Sequence, residues 1–334
     1  MSGFAVDFSL PVDLQERVDR YRESKIARLD GVLRALGSED VFAWSDLAAA
    51  DLPLRYALAH HVFEGVSRAT RDRDRGAINA AMLMRADQTS LGPLRTENGP
   101  MLLMHPSWAA LTDDAALEDD AARAAAPVAV VSNELCATGT AADRDLVTRA
   151  LRTAANAGFG ATVSRNSRVV ALIAELRPSD PKIRSWTTTS LPATAHLDYF
   201  AEHRYVSREL IHEAAHTELN DLFAALDIAG DLHRNEVTFY APWLETERPV
   251  FGFLHGTWAF SHVALYSRWL LDADVGPEVS AVAEMMHTRY VAHMVATRSD
   301  FARAVRLTGV PELAELITRR RDEVLDGAGS RAVG

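Results

Sequence analysis

A single cysteine, Cys136, in a chain of 334 residues excludes an internal disulfide framework and any metal cluster built on thiolates. A lone thiol between Leu135 and Ala137 reads as packing rather than as a nucleophile. Positive charge is in deficit: 35 Lys and Arg stand against 46 Asp and Glu, a formal net charge of −11. That balance lacks the basic surface on which non-specific nucleic-acid binding depends, so no nucleic-acid partner is expected. No apolar run approaches the length of a membrane span, and Met1 to Asp7 lack the charged-then-apolar pattern of a secretory signal. The expectation is a cytoplasmic protein with no membrane partner. No internal repeat is visible. What is present is a hydrophobic content of 48% beside 24% charged residues, the composition of a globular chain with ample material for a core.

Apolar spacing predicts a helical first part. Pro11 to Leu36 carries Leu14, Val18, Ile26, Leu29 and Leu33 at helical intervals and stops at Gly37. Pro53 to Ala69 and Gly76 to Ala86 read as further helices, and the acidic, alanine-rich stretch from Asp113 to Ala126 carries no site. His60 and His61 are adjacent, so on a helix they point in different directions and do not share a metal. Strand signals follow at Pro127 to Ser132. A hairpin is predicted from Ala161 to Val163 and Arg168 to Leu176, with a turn at Arg165-Asn166-Ser167. Trp186 to Thr189 and Val237 to Tyr240 also look extended. Helices are expected from about Glu202 to Leu226, His255 to Leu271, Pro277 to Ala296 and Glu312 to Leu325. The fold class is therefore α+β, predominantly helical, with a small mixed or antiparallel sheet in the middle. A helical region over 1–126 and a catalytic, metal-binding region over 127–330 are the expected divisions, without an obvious linker.

One run announces chemistry. Leu210-Ile211-His212-Glu213-Ala214-Ala215-His216 carries the H-E-x-x-H pattern within apolar flanks. Two histidines four residues apart share a helix face, so His212 and His216 can close on one divalent metal, with Glu213 about 100° round the helix. The plain reading is a helix with two unrelated histidines. Its apolar flanks argue for burial in the core and for the metal site instead.

Two histidines need a third protein ligand, with at least one position left open for chemistry. Glu218 is excluded because, two residues beyond His216, it points to another helix face. Glu236, twenty residues past His216, has the spacing of a zinc peptidase with a glutamate ligand, and Glu213 would then be the general base on metal-bound water. Yet Val237 to Pro242 looks extended where that family has a helix. His255 is a second candidate, placed where a helix begins; three histidines would leave positions for a 2-oxo acid and dioxygen on Fe(II). Glu236 or Glu247 as third ligand would restore the two-histidine, one-carboxylate triad of iron oxygenases.

The region from about Trp186 to Leu271 resembles the HExxH-type Fe(II)/2-oxoglutarate-dependent peptide β-hydroxylases of ribosomal peptide biosynthesis. The matching blocks are Ser185 to Pro192, His212 to Leu219, Tyr240-Ala241-Pro242-Trp243, Glu247-Arg248-Pro249 and Leu254 to Phe260. The resemblance implies Fe(II), 2-oxoglutarate and O2 as cofactors. It also implies hydroxylation of a side-chain (β) carbon in a peptide or peptide-like amino acid, including a precursor that bears a leader segment. In such an enzyme Glu213 would not abstract a proton but accept a hydrogen bond beside the metal or serve as an alternative ligand. The distal carboxylate of a 2-oxo acid calls for a bidentate cation. Arg248 is the first candidate, with Arg289 and Arg268 as rivals on helices. Trp243 and Trp258 either wall a pocket or simply pack, and His262 lies two turns beyond His255. The alternatives are a zinc peptidase and a metal-stabilised protein that binds a leader peptide without turnover.

Overall fold

The structure is a computed structural model that describes residues 7–36, 51–73, 91–107, 128–177 and 183–329, together with the single positions Gly76 and Leu111. The expected helix from Gly76 to Ala86 and the acidic stretch from Asp113 to Ala126 lie outside the described residues. The chain divides into two compact units, Met1–Thr217 and Glu218–Gly334. Among the described residues no helix is long and apolar enough to cross a membrane.

In the first unit, α1 (Val12–Leu36) buries the stripe Leu14, Val18, Ile26 and Leu33, the residues whose spacing marked the helix. α2 (Leu52–Arg71) starts on Asp51, whose carboxylate accepts the Leu54 N–H at 2.8 Å, and has a proline in its first turn; both features satisfy or remove donors that a helix start leaves free. A mixed five-stranded sheet follows in the order β1–β2–β3–β5–β4. Its strands are β1 (Leu94–Thr96), β2 (Gly99–Met104), β3 (Val169–Glu175), β4 (Ser185–Trp186) and β5 (Thr194–Tyr199). β2, β3 and β5 run parallel, while β1 and β4 close the edges antiparallel. The central strands Val169–Glu175 and Thr194–Tyr199 are buried almost continuously, as strands covered on both faces must be. Between β2 and β3 come α3 (Asn133–Ala137), α4 (Ala141–Asn156), capped reciprocally by Thr140 and Asp143, and α5 (Gly160–Asn166). The α+β, predominantly helical architecture with a small mixed sheet is thus present.

Two strand expectations fail. Ala161 to Val163 belongs to α5 rather than to a hairpin arm, because β3 already has β2 on one side and β5 on the other. No local partner is needed, and the β-branched Thr162 and Val163 are buried from the helix instead. Val128 to Ser132 pairs with no strand. Its backbone donors go to buried imidazoles: Val131 N–H donates to His61 Nδ1 at 3.1 Å, and Ala129 N–H to His196 Nε2 at 3.3 Å. Because Nδ1 of His61 accepts, its proton sits on Nε2 and is donated to the Thr194 hydroxyl at 2.9 Å. Cys136 packs at the margin of this core, and burial pushes its thiol up to about 11.

The second unit opens within α6 (His203–Ala225), which spans the division, and continues with α7 (Ala229–Arg234) and the hairpin β6 (Thr238–Ala241)–β7 (Thr246–Pro249). α8 (Val250–Asp272) is apolar nearly all round and buried along most of its length, which makes it the central helix of this unit. α9 (Pro277–Ala296), α10 (Arg298–Arg306) and α11 (Pro311–Gly329) surround it. Gly256 lets the Trp243 ring lie against α8, where any Cβ would collide with the indole. Arg321 donates to the Met294 carbonyl at 2.6 Å and lies over the Phe301 ring, tying α11 to α9 and α10.

The imidazoles that hold Val128 to Ser132 give the first unit a pH dependence. His61 and His196 are fully buried, and burial lowers both, His196 to about 4 from an ordinary 6.5. The unfolded chain then binds more protons between those values, so stability is complete above about 6.5 and drains as the pH falls toward 4, by ~3 kcal/mol for His196 alone. Thermal unfolding followed between pH 7 and 4 is expected to show this fall. His196→Gln, whose amide oxygen can still accept from Ala129, is expected to flatten it by about one proton's worth of slope. An unchanged slope would contradict the assignment.

Candidate metal centre

α6 runs through the H-E-x-x-H motif, and its sequence explains its burial. Val206, Leu210, Ile211, Ala214 and Ala215 are at most 1% exposed. Against that background a stripe at helical spacing, Tyr205, Glu209, His212 and His216, keeps partial access from outside; the His212 side chain is 17% exposed. The two motif histidines are therefore neither sealed in the core nor free on the surface.

Their rings converge. His212 Nε2 and His216 Nε2 stand 3.2 Å apart, with ring centroids at 4.7 Å and planes perpendicular. Two imidazole nitrogens each bound at about 2.0–2.1 Å to one cation would themselves lie about 3 Å apart, so the observed separation fits a shared ion. Burial holds both rings neutral: His212 is lowered to about 4, with the Arg208 charge adding to the effect, and His216 is held well below the ordinary value. Neutral imidazole is the form that binds a metal.

Glu213 stays beside the pair, its Oε1 4.0 Å from His212 Nε2. It is 2% exposed, and its carboxyl is tied to the edge strand β4, where Ser185 Oγ lies 2.6 Å from Glu213 Oε1 and 2.8 Å from Glu209 Oε2. Burial pushes Glu213 up to about 8; hydrogen bonds from Ser185 and the Thr187 backbone work against the rise, and the Glu209 charge adds to it. A hydroxyl has one proton to give. Arg208 Nε donates to Glu209 Oε1 at 2.6 Å. Ser185 Oγ, with that one proton, stands as donor between the two carboxyl groups. Farther along, the Thr187 and Thr217 hydroxyls meet at 3.2 Å. This support was visible in the sequence only as Ser185 and Thr187 in a matching block; Glu209, one turn before Glu213, gave no separate signal.

The remaining candidates are residues of the second unit. His255 is not at a helix start: Pro249 caps α8, and His255 sits in its second turn, buried beside the rings of Phe223 and Phe251. Gly252, three residues before His255, is already helical. Glu236 is exposed in the coil between α7 and β6, and Glu247 and Arg248 are exposed on β7. The Arg248 guanidinium lies over Gly252. Arg289 is exposed on α9, and Arg268 is half-buried on α8. His262 bonds through Nδ1 to the Trp258 carbonyl at 2.8 Å. Trp258 is buried with Arg320 over its ring, and Trp243 packs on Phe253. Among the described residues no group of three or more His, Cys, Asp or Glu side chains stands together as a metal-holding set. The structure thus brings His212 and His216 together and leaves the third ligand unassigned.

No protein-family model matches this chain, and no curated protein does.

The hydroxyl of Ser185 carries a direct test. Ser185→Ala leaves two neighbouring carboxyl groups, one of them buried, without the group between them and is expected to cost about 1–3 kcal/mol of stability in denaturant unfolding. Ser185→Thr, which keeps the hydroxyl, should recover most of that loss. Equal stability of the alanine variant and the parent would show that the bridge contributes nothing.

Proposed function

We propose that this protein is an Fe(II)/2-oxoglutarate-dependent hydroxylase that oxidises a side-chain (β) carbon of a peptide or peptide-like amino acid. The observation that carries the metal part is the 3.2 Å approach of His212 Nε2 and His216 Nε2 on the one accessible stripe of an otherwise buried helix. The iron, the 2-oxo acid and the peptide come from the resemblance of the blocks between Ser185 and Phe260.

His212 and His216 would hold the metal. When bound, iron supplies the redox chemistry that couples O2 and decarboxylation of 2-oxoglutarate to C–H hydroxylation. The chain's own contribution is positional. The neutral rings are held by the packing of α6, and Glu213 ties the helix to the edge strand through Ser185 while its Oε1 stays 4.0 Å from His212 Nε2. An oxygenase asks no proton removal of Glu213, and a side chain held in this way is compatible with that role. Arg248 or Arg289 would bind the distal carboxylate of the 2-oxo acid through a planar fork, and both are exposed. His255 is the candidate third ligand.

A zinc peptidase is the second reading. It needs Glu213 as the base on metal-bound water and a glutamate ligand such as Glu236 on a following helix. Glu236 lies in exposed coil rather than on a following helix, so this reading ranks lower. A leader-peptide binder that uses metal for folding alone predicts loss of structure, rather than of turnover, on chelation.

With Fe(II), 2-oxoglutarate and a peptide substrate, the protein should release succinate in step with oxygen uptake and add one oxygen atom to the substrate. His212→Ala and His216→Ala are each expected to lower succinate release more than about 100-fold while far-UV dichroism stays unchanged. Normal turnover in either variant would defeat the proposal, and peptide cleavage with zinc in the absence of oxygen would replace it with the second reading. Within the hydroxylase reading, Arg248→Gln should raise KM for 2-oxoglutarate more than it lowers kcat; if Arg289→Gln does so instead, the roles of the two arginines exchange.

A further inference from the structure

The first unit contains a cavity of about 260 Å³ that the proposed chemistry does not use. Its walls come from β1 and β2, from α4 and α5, and from Arg168 at the foot of β3. From α4 it takes Thr148, Leu151, Arg152 and Ala155, a stripe at intervals of three and four. Ala150, about half a turn round the same helix, accepts a hydrogen bond from Ser207 of α6. The cavity therefore lies on the side of α4 turned away from the helix that carries His212 and His216.

Three arginines line it: Arg95, Arg152 and Arg168. Arg168 is only 4% exposed. Its Nη2 donates to Asp51 Oδ2 at 2.8 Å and to the Asn98 carbonyl at 2.6 Å. Its Nε and Nη1 are buried and reach no acceptor among the described residues. A buried guanidinium with two donors unmatched is costly unless an acceptor meets them. The backbone is shaped around this group: Gly99, at φ +106°, lies so close that a Cβ there would collide with the Asp51 carboxylate and come within 2.9 Å of Arg168 Nη2. Arg95 and Arg152 are exposed and add positive charge against the single carboxylate of the lining, Glu97. Met101 and Val163 give the cavity a buried apolar wall.

We infer that this cavity binds a small organic anion, its carboxylate or phosphate group meeting Arg168 with Arg95 and Arg152, and its apolar portion lying against Met101 and Val163. Guanidinium groups suit both kinds of oxyanion, so the test separates them. The purified full chain is titrated calorimetrically with inorganic phosphate and, separately, with butyrate, at matched ionic strength. Saturable one-to-one binding of either probe is expected, and the probe that binds names the oxyanion. The double variant Arg95→Gln/Arg152→Gln, which alters exposed side chains only, should weaken binding about tenfold or more without moving the thermal midpoint of the ligand-free protein. Arg168→Lys, which keeps a charge for Asp51 but loses the fork, should weaken it as well. Absence of saturable binding by both probes would overturn the inference, and so would binding that is indifferent to both variants.

Discussion

The approach of two neutral imidazoles across one turn of a buried helix is the constraint on which the functional reading depends. Helical spacing puts His212 and His216 on one face, but spacing alone would also serve two histidines pointing into solvent. Here the neighbouring positions are closed off by Val206, Leu210, Ile211, Ala214 and Ala215, while the histidine stripe keeps partial access. Burial keeps the rings unprotonated, and access gives a cation and its further ligands a way to reach them. A helix more exposed would lose the first property, and one fully enclosed would lose the second.

The same helix is anchored by a polar tie rather than by apolar contact alone. Ser185, on an edge strand only two residues long, stands between the carboxyls of Glu209 and Glu213. Arg208 donates to the first of these carboxyls, and burial pushes the second toward its protonated form. The arrangement fixes how the histidine-bearing side of α6 is turned.

Histidine does different work elsewhere in the first unit. His61 and His196 accept backbone N–H groups from a segment that pairs with no strand. Their nitrogens substitute for the carbonyls of a neighbouring strand, and the substitution holds only while the rings stay neutral. Burial lowers the protonation of the motif pair and of this pair alike, so one physical effect serves a candidate metal centre in one place and a fold contact in another.

Much of the helical framework was legible in the amino-acid order. The apolar spacing from Pro11 to Leu36 and from Pro277 to Ala296 marks α1 and α9 almost to the residue, because an amphipathic or buried helix writes its own period. The H-E-x-x-H pairing was legible for the same reason: both histidines lie on one local element. The sheet was not. β3 takes its partners from β2 and β5, far away along the chain, so a local hairpin signal at Ala161 to Leu176 was misleading, and the apolar run after Pro127 found imidazoles where a strand was expected. Nor could spacing reveal Ser185 bridging two glutamates, or Arg168 buried beside Asp51 and Gly99. Local periodicity determines which residues share a helix face; which distant groups meet a buried donor or carboxyl is decided only when the tertiary structure excludes water from them.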